Sequence, residues 1–154
     1  MREILFRGKT VDGKWIDGFL FQEVGDCVVR WCITRTPLCA NDYSEIMGDY
    51  AEVFPDTVGQ YTGLTDKNGK KIFEGDIVES TSDLVNLRGE KSGKKITKFY
   101  EIVVTADDSS FTYGTREIGK TYISRTIYKE IAQRFYSVIG NIHDNPELLK
   151  GGEE

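Results

Sequence analysis

The run Gly59–Val78, GQYTGLTDKNGKKIFEGDIV, constrains the fold more than any other part of the chain. It packs strand, turn, strand, second turn and strand into twenty residues. Asp66 to Gly69 supplies the first reversal: Asn68-Gly69 favours positive φ at both positions, which matches the twist of a β-hairpin. Gly75-Asp76 then makes the second reversal, before the apolar pair Ile77-Val78, and Gly75 is expected to need φ > 0.

The first third has the same β-rhythm. Val11-Asp12-Gly13-Lys14 reads as a turn. After it, Trp15, Phe19 and Phe21 share one parity, with Ile16 and Leu20 on the other, so both faces of this strand are expected to be partly covered. Glu23-Val24-Gly25-Asp26 reads as the next turn. Cys27 to Thr34 follows, rich in β-branched and aromatic residues. Residues 2–34 thus suggest a three-stranded meander.

The period changes over Asn41–Tyr50. Tyr43, Ile46, Met47 and Tyr50 share one helical face, with Asn41 or Asp42 as cap and Gly48 weakening the last turn. Phe54-Pro55-Asp56 ends that element. Ser80 to Lys95 is rich in polar residues and glycine. It reads as a mobile excursion between two strands, with Leu84, Val85 and Leu87 its few apolar groups. Ile96 to Thr105 alternates as a strand, and Asp107-Asp108-Ser109 turns it into Phe111-Thr112-Tyr113. From a Ser124 cap, Ile127, Tyr128, Ile131, Ala132 and Phe135 recur at helical spacing. That stripe is expected to pack on the sheet, with a partner groove as the sharper alternative. Tyr136–Ile142 returns to strand. Asn145 caps a short helical start with Pro146 at its first position.

The fold class is therefore mostly β, a β-rich α+β chain of coiled or barrel-like antiparallel sheets with one or two short helices. An SH3-like barrel portion over 57–142 is one architecture that the Gly-Asp-Ile-Val bend suggests. The expected organisation is one domain, 1–150, with an N-terminal β lobe 1–56 and a C-terminal barrel-like lobe 57–149. Residues 151–154 are expected to form a disordered tail.

With 39% hydrophobic and 12% aromatic residues in the chain, a real core can form. The longest apolar runs are a few residues, far below the roughly 20 needed to cross a bilayer. No membrane association and no secretory signal are expected. The net charge of −5 weighs against wholesale binding of a phosphate backbone. Its distribution is uneven. Residues 88–98 hold Arg88, Lys91, Lys94, Lys95 and Lys98 against Glu90 alone, a net +4. Residues 42–56 hold Asp42, Glu45, Asp49, Glu52 and Asp56 with no Lys or Arg, a net −5. The basic segment could touch nucleic acid or the acidic segment of a neighbouring subunit; a solvated loop is the plainer reading.

Candidates for chemistry are few. Cys27, Cys32 and Cys39 are spaced unlike any familiar zinc knuckle and read as free thiols and small hydrophobes. His143, the single histidine, could act as a general base, but Asp144 beside it is poorly placed to orient it, and a structural hydrogen-bonding role fits better. Asp66, Glu74 and Asp76 could converge on a hard cation, although Asp in a turn usually bonds its own backbone. No phosphate-cradle motif is present. No catalytic residue, metal or cofactor is expected. The interaction surface considered comprises Gln60, Tyr61, Thr62, Lys94, Lys95, Lys98 and His143; Tyr61 packing inward is the alternative at its position.

Three segments carry a family resemblance: Met1-Arg2-Glu3-Ile4-Leu5-Phe6-Arg7-Gly8, the Gly59–Val78 run, and Val138 to Leu149 with its Ile142-His143-Asp144-Asn145-Pro146. In this order and separation they resemble the YopX family of phage and prophage proteins. The resemblance implies a phage or prophage origin and a bacterial host cytoplasm; it implies no activity or substrate. Residues 22–50 and 81–125 lie outside it. The favoured reading is a non-enzymatic interaction or regulatory module, expected to form a homo-oligomer, with a phage or host protein as another partner. A nucleic-acid-associated factor using residues 88–98 is the runner-up, and an enzyme using His143 the third.

Overall fold

Glycine-bearing turns and β-branched runs divide the chain into strands, and the computed structural model describes residues 4–25, 27–36, 49–106, 111–124 and 126–150. The chain forms two compact units, residues 1–63 and 64–154. The first holds β1 (Phe6–Lys9), β2 (Trp15–Gly25), β3 (Val28–Thr34), β4 (Tyr50–Glu52) and most of β5 (Gly59–Thr65). They pair antiparallel in the order β4-β3-β2-β1-β5, and β6 (Lys71–Phe73) continues the sheet beyond β5.

The expected meander is present as β1-β2-β3. Residues from Trp15 to Phe21 are half-buried on both parities, as their two-sided apolar pattern requires. The Arg7 guanidinium lies 4.7 Å over the Trp15 ring, and Phe21 meets Tyr50 edge-on at 5.7 Å. Two expectations need correction. Glu23 and Val24 do not turn; they pair with Arg30 and Val29, and the reversal comes later, where Cys27 takes φ +69°. Tyr50 opens β4 rather than closing a helix, and its register with Thr34 explains why: a neighbouring strand supplies its backbone partners. Asp49 is a bend rather than helix, and residues 41–48 of the expected helix lie outside the described residues, as does the 107–109 turn. Pro55–Thr57 forms a single 3-10 turn.

The second unit holds β7 (Asp76–Val85), β8 (Lys91–Ala106), β9 (Phe111–Glu117), β10 (Ile123–Ser124) and β11 (Tyr136–Asn141), in the order β10-β9-β8-β7-β11. One helix, α1 (Lys129–Phe135), precedes β11. The mostly β class holds, and both sheets are open among the described residues rather than closed into a barrel. Ser124 does not cap the helix: it pairs with Thr115 in β10. Tyr128 is still extended (φ −83°, ψ 134°), so the helix starts later than the apolar period suggests. β-branched Thr126 and Ile127 just before it are weak helix formers. The apolar stripe divides. Ala132 is buried and Ile127 and Phe135 pack on the cluster of Ile72, Val78, Ile102 and Tyr136, whereas Tyr128 and Ile131 are exposed. Asn145 does not cap Pro146–Leu149 with its side chain; its Oδ1 accepts the Asn141 N–H at 3.4 Å.

Three hairpins use one turn design. At Thr10–Lys14, Asp66–Lys70 and Asn86–Glu90, the first N–H donates to the fifth carbonyl, and the fourth residue is a glycine with φ near +80°. In each, the first side chain accepts backbone N–H groups of the turn: Thr10 Oγ1 from Lys14, Asp66 Oδ1 from Asn68 and Lys70, Asn86 Oδ1 from Arg88 and Glu90. Gly69 takes the positive φ expected but Asn68 does not, and the reversal is a five-residue turn. A local oxygen acceptor and a glycine at the left-handed position define all three.

Asp66 does more than shape its turn. Its carboxylate is buried, and Oδ2 accepts the Val138 N–H of β11 at 3.0 Å, while the Lys67 N–H donates to the Tyr136 carbonyl at 3.0 Å. Burial alone would raise its pKa; the N–H donors of Val138, Lys70 and Asn68 outweigh it and hold the carboxyl below the usual range. The second turn is held similarly. Gly75 has φ +78°, its N–H donates to the Ile102 carbonyl, and its own carbonyl accepts from Ile142.

Two outcomes are expected. Because the Asp66 pKa is depressed on folding, its contribution is fully present above the unfolded-state value of about 3.9 and is lost as pH falls through the folded value. Urea unfolding should therefore show Asp66→Asn much less stable than wild type at neutral pH, with the gap closing at strongly acidic pH; a constant gap would refute this. Gly75→Val should lose about 1–3 kcal/mol, because valine is strained at positive φ and its Cβ would stand 3.4 Å from Ile142. An unchanged thermal melt would contradict the geometry.

Candidate functional site

Residues 80–95, expected as a mobile excursion, are a hydrogen-bonded ribbon. β7 and β8 pair from Ile77↔Glu101 outward through Ser80↔Lys98, Thr81↔Thr97, Ser82↔Ile96 and Asp83↔Lys95 to Val85↔Lys91. β11 accompanies β7 only as far as Ser80, and β9 accompanies β8 only from Tyr100. Beyond those points the two strands pair only with each other among the described residues. They form a two-stranded arm closed by the Asn86–Glu90 turn. The cross-strand pair Thr81 Oγ1 to Thr97 Oγ1, 3.0 Å, and the β-branched residues around it support the pairing. Gly93, at φ +75°, takes up the extra residues of β8 where the register shifts.

The arm is solvent-exposed from Ser82 to Phe99, yet it is not uniformly polar. Leu84, Val85, Ile96 and Phe99 are exposed, and Leu87 at the tip is fully so. Charges surround them. Lys91 Nζ lies 2.7 Å from Asp83 and holds that carboxyl below its usual pKa. Lys98 Nζ lies 3.2 Å from Glu117, which raises the Lys98 pKa. Among the described residues no ion pair engages Arg88, Lys94 or Lys95, and all three are exposed. Lys95 stands opposite Asp83, and Lys98 opposite Ser80, on the other face of the ribbon by strand alternation. The basic side chains thus surround the arm rather than form one stripe.

The other candidates are dispersed. Tyr61 and Thr62 are buried in β5 and Gln60 is half-buried, so the inward alternative describes Tyr61. His143 is exposed in the turn after β11, and its N–H and that of Asp144 donate to Asn141 Oδ1 at 3.0 and 2.9 Å. Asp144 Oδ2 accepts from Asn141 Nδ2 at 3.2 Å. Asp66 serves its turn and β11, and Asp76, fully buried, accepts the Phe73 N–H at 2.8 Å. Both carboxylates therefore serve backbone amides. No cluster of metal-ligating side chains occurs among the described residues. Cys27 is exposed in the β2–β3 turn, Cys32 is buried with its thiol pKa raised mainly by burial, and Cys39 lies outside the described residues.

A cleft of about 320 Å³ is lined by Glu101, Arg116, Lys120 and the turn at Glu117–Gly119. Arg116 Nε donates to Glu101 Oε2 at 3.0 Å, and its Nη2 donates to the same oxygen. These charges already satisfy one another, as a partly buried ion pair requires. The arm combines exposed apolar side chains with exposed basic groups, Arg88, Lys94 and Lys95, that no ion pair engages among the described residues. Sequence reading missed it as a structural element, although Asn86 and Gly89 repeat the spacing of Asp66 and Gly69.

No helix of the described residues is long and apolar enough to cross a membrane. A comparison with curated proteins found no match. Among solved structures, protein EF1440 from Enterococcus faecalis is similar at 21% identity, covering 97% of this chain and 99% of that one with a TM-score of 0.49. The family model described as YopX protein matches residues 6–150. Of the three segments that resembled this family, the match contains the second and third in full and the end of the first, Phe6-Arg7-Gly8; it also spans everything between them, and the chain belongs to the YopX family.

Proposed function

We propose that this chain is a non-enzymatic interaction or regulatory module that self-associates, of phage or prophage origin and acting in the cytoplasm of a bacterial host. The observation that carries this reading is the β7–β8 arm, a paired ribbon whose tip residue Leu87 is fully exposed beside exposed Leu84 and Val85. Apolar side chains gathered on a projecting element are better accounted for by burial against a partner than by solvent. A second copy of the chain is the favoured partner, with a phage or host protein as the alternative. His143 enters neither case as a reacting group, since its turn is organised by Asn141.

Light scattering after size exclusion should therefore give a mass that is a multiple of 17.5 kDa. Leu87→Asp should lower that mass, and His143→Ala should leave it unchanged. A monomer at every concentration would sink the proposal.

A second reading has its own observation. A two-stranded ribbon is the kind of element that the DNA major groove admits, and Arg88, Lys94 and Lys95 are exposed on this one. It predicts duplex binding that weakens steeply with salt and falls when Lys94, Lys95 and Lys98 are replaced by Gln. Absent or salt-insensitive binding in a fluorescence-anisotropy titration would eliminate it.

A further inference from the structure

Charge is the one property of the arm that narrows down its partner. Residues 88–98 carry +4 in a chain of net −5, which leaves −9 on the remainder. The acidic residues concentrate in 42–56, which bears five carboxylates and no basic side chain. Within that segment Asp49, Glu52 and Asp56 are exposed, as is Phe54. Arm and segment therefore share one composition with opposite signs: exposed apolar groups flanked by charge. Arg88, Lys94 and Lys95 on the arm are exposed and engaged in no ion pair among the described residues.

Resting on the self-association proposed above, we infer that the basic arm of one copy docks on the acidic stretch of a second copy that carries the exposed Asp49, Glu52 and Asp56. Leu87 and its apolar neighbours supply the buried contact, and Arg88, Lys94 and Lys95 select the partner and its orientation. Opposite charges steer the encounter and penalise wrong pairings, while apolar burial supplies most of the affinity. The overall acidity of the chain also works against a polyphosphate as occupant of the arm. In a two-fold dimer the contact occurs twice, since each copy offers both an arm and a segment.

Two charge-reversed proteins test this. One carries Arg88→Glu, Lys94→Glu and Lys95→Glu; the other carries Asp49→Lys, Glu52→Lys and Asp56→Lys. In sedimentation velocity each alone should associate at least about tenfold more weakly than wild type, because like charges then face each other. An equimolar mixture should recover association, since each reversed surface meets its complement. Should either variant fail to fold by circular dichroism, wild type supplies the second measurement. Its association should weaken between 0.1 and 1 M salt, where the screening length drops from about 10 to about 3 Å.

The outcomes separate the two proposals. A wild type that is monomeric throughout overturns self-association and this inference with it. A wild-type oligomer whose assembly ignores both reversals and salt, or a mixture that stays dissociated, overturns the arm–segment pairing alone. Co-sedimentation of a duplex oligonucleotide with wild type but not with the arm variant would assign the arm to nucleic acid and also overturn it.

Discussion

The C-terminal unit depends on one buried carboxylate. Asp66 accepts the N–H groups of Asn68 and Lys70 within its own turn and that of Val138 seventy-two residues away. A local turn and a distant strand are thereby fastened by the same group. Val138 pairs with Val78, and both belong to the packing around Ile72, Ile102, Ala132 and Tyr136. The apolar cluster provides the driving force. The carboxylate specifies which strand lies beside which turn, since donors from its own turn and from β11 converge on it.

The recurrence of one turn design in three settings separates local from tertiary causes. Thr10–Lys14, Asp66–Lys70 and Asn86–Glu90 share geometry because each places an oxygen acceptor three residues before a glycine. Local chemistry is enough for that. The consequences differ: Asp66 is buried against β11, whereas Asn86 closes an exposed arm whose tip is Leu87. A turn motif establishes where the chain reverses and carries no information about what covers the reversal.

The limits of legibility follow from the same distinction. The strand–turn–strand run of 59–78 was readable because apolar alternation and turn residues agree there. The arm was not, because its composition is that of a loop. Its strands hold together through backbone ladders and pairs such as Thr81 with Thr97 rather than through a buried face, and hydrophobic periodicity cannot register them. At α1 the opposite error arose. Helical spacing began at Ile127, but Tyr128 remained extended and Ser124 was taken by Thr115 as a strand partner. The pattern held over Lys129–Phe135 and failed only at its start, where Thr126 and Ile127 are weak helix formers. The candidate site was half visible: the basic residues of 88–98 were evident, but not their distribution around both faces of a ribbon.

What the sequence by itself determined are local quantities. These are the mostly β class, the reversals at Asp12-Gly13 and Asp66–Gly69, the left-handed backbone at Gly75, and the opposed charges of 42–56 and 88–98. Each depends on steric or electrostatic properties of a few adjacent residues. Only the tertiary structure decided that Tyr61 turns inward, that Asp66 reaches β11, that Ser80–Lys95 forms a paired arm, and that Leu87 is left exposed at its tip. Those outcomes rest on contacts between residues tens of positions apart, where covering surface and hydrogen-bond partners come from other elements and no local pattern records them.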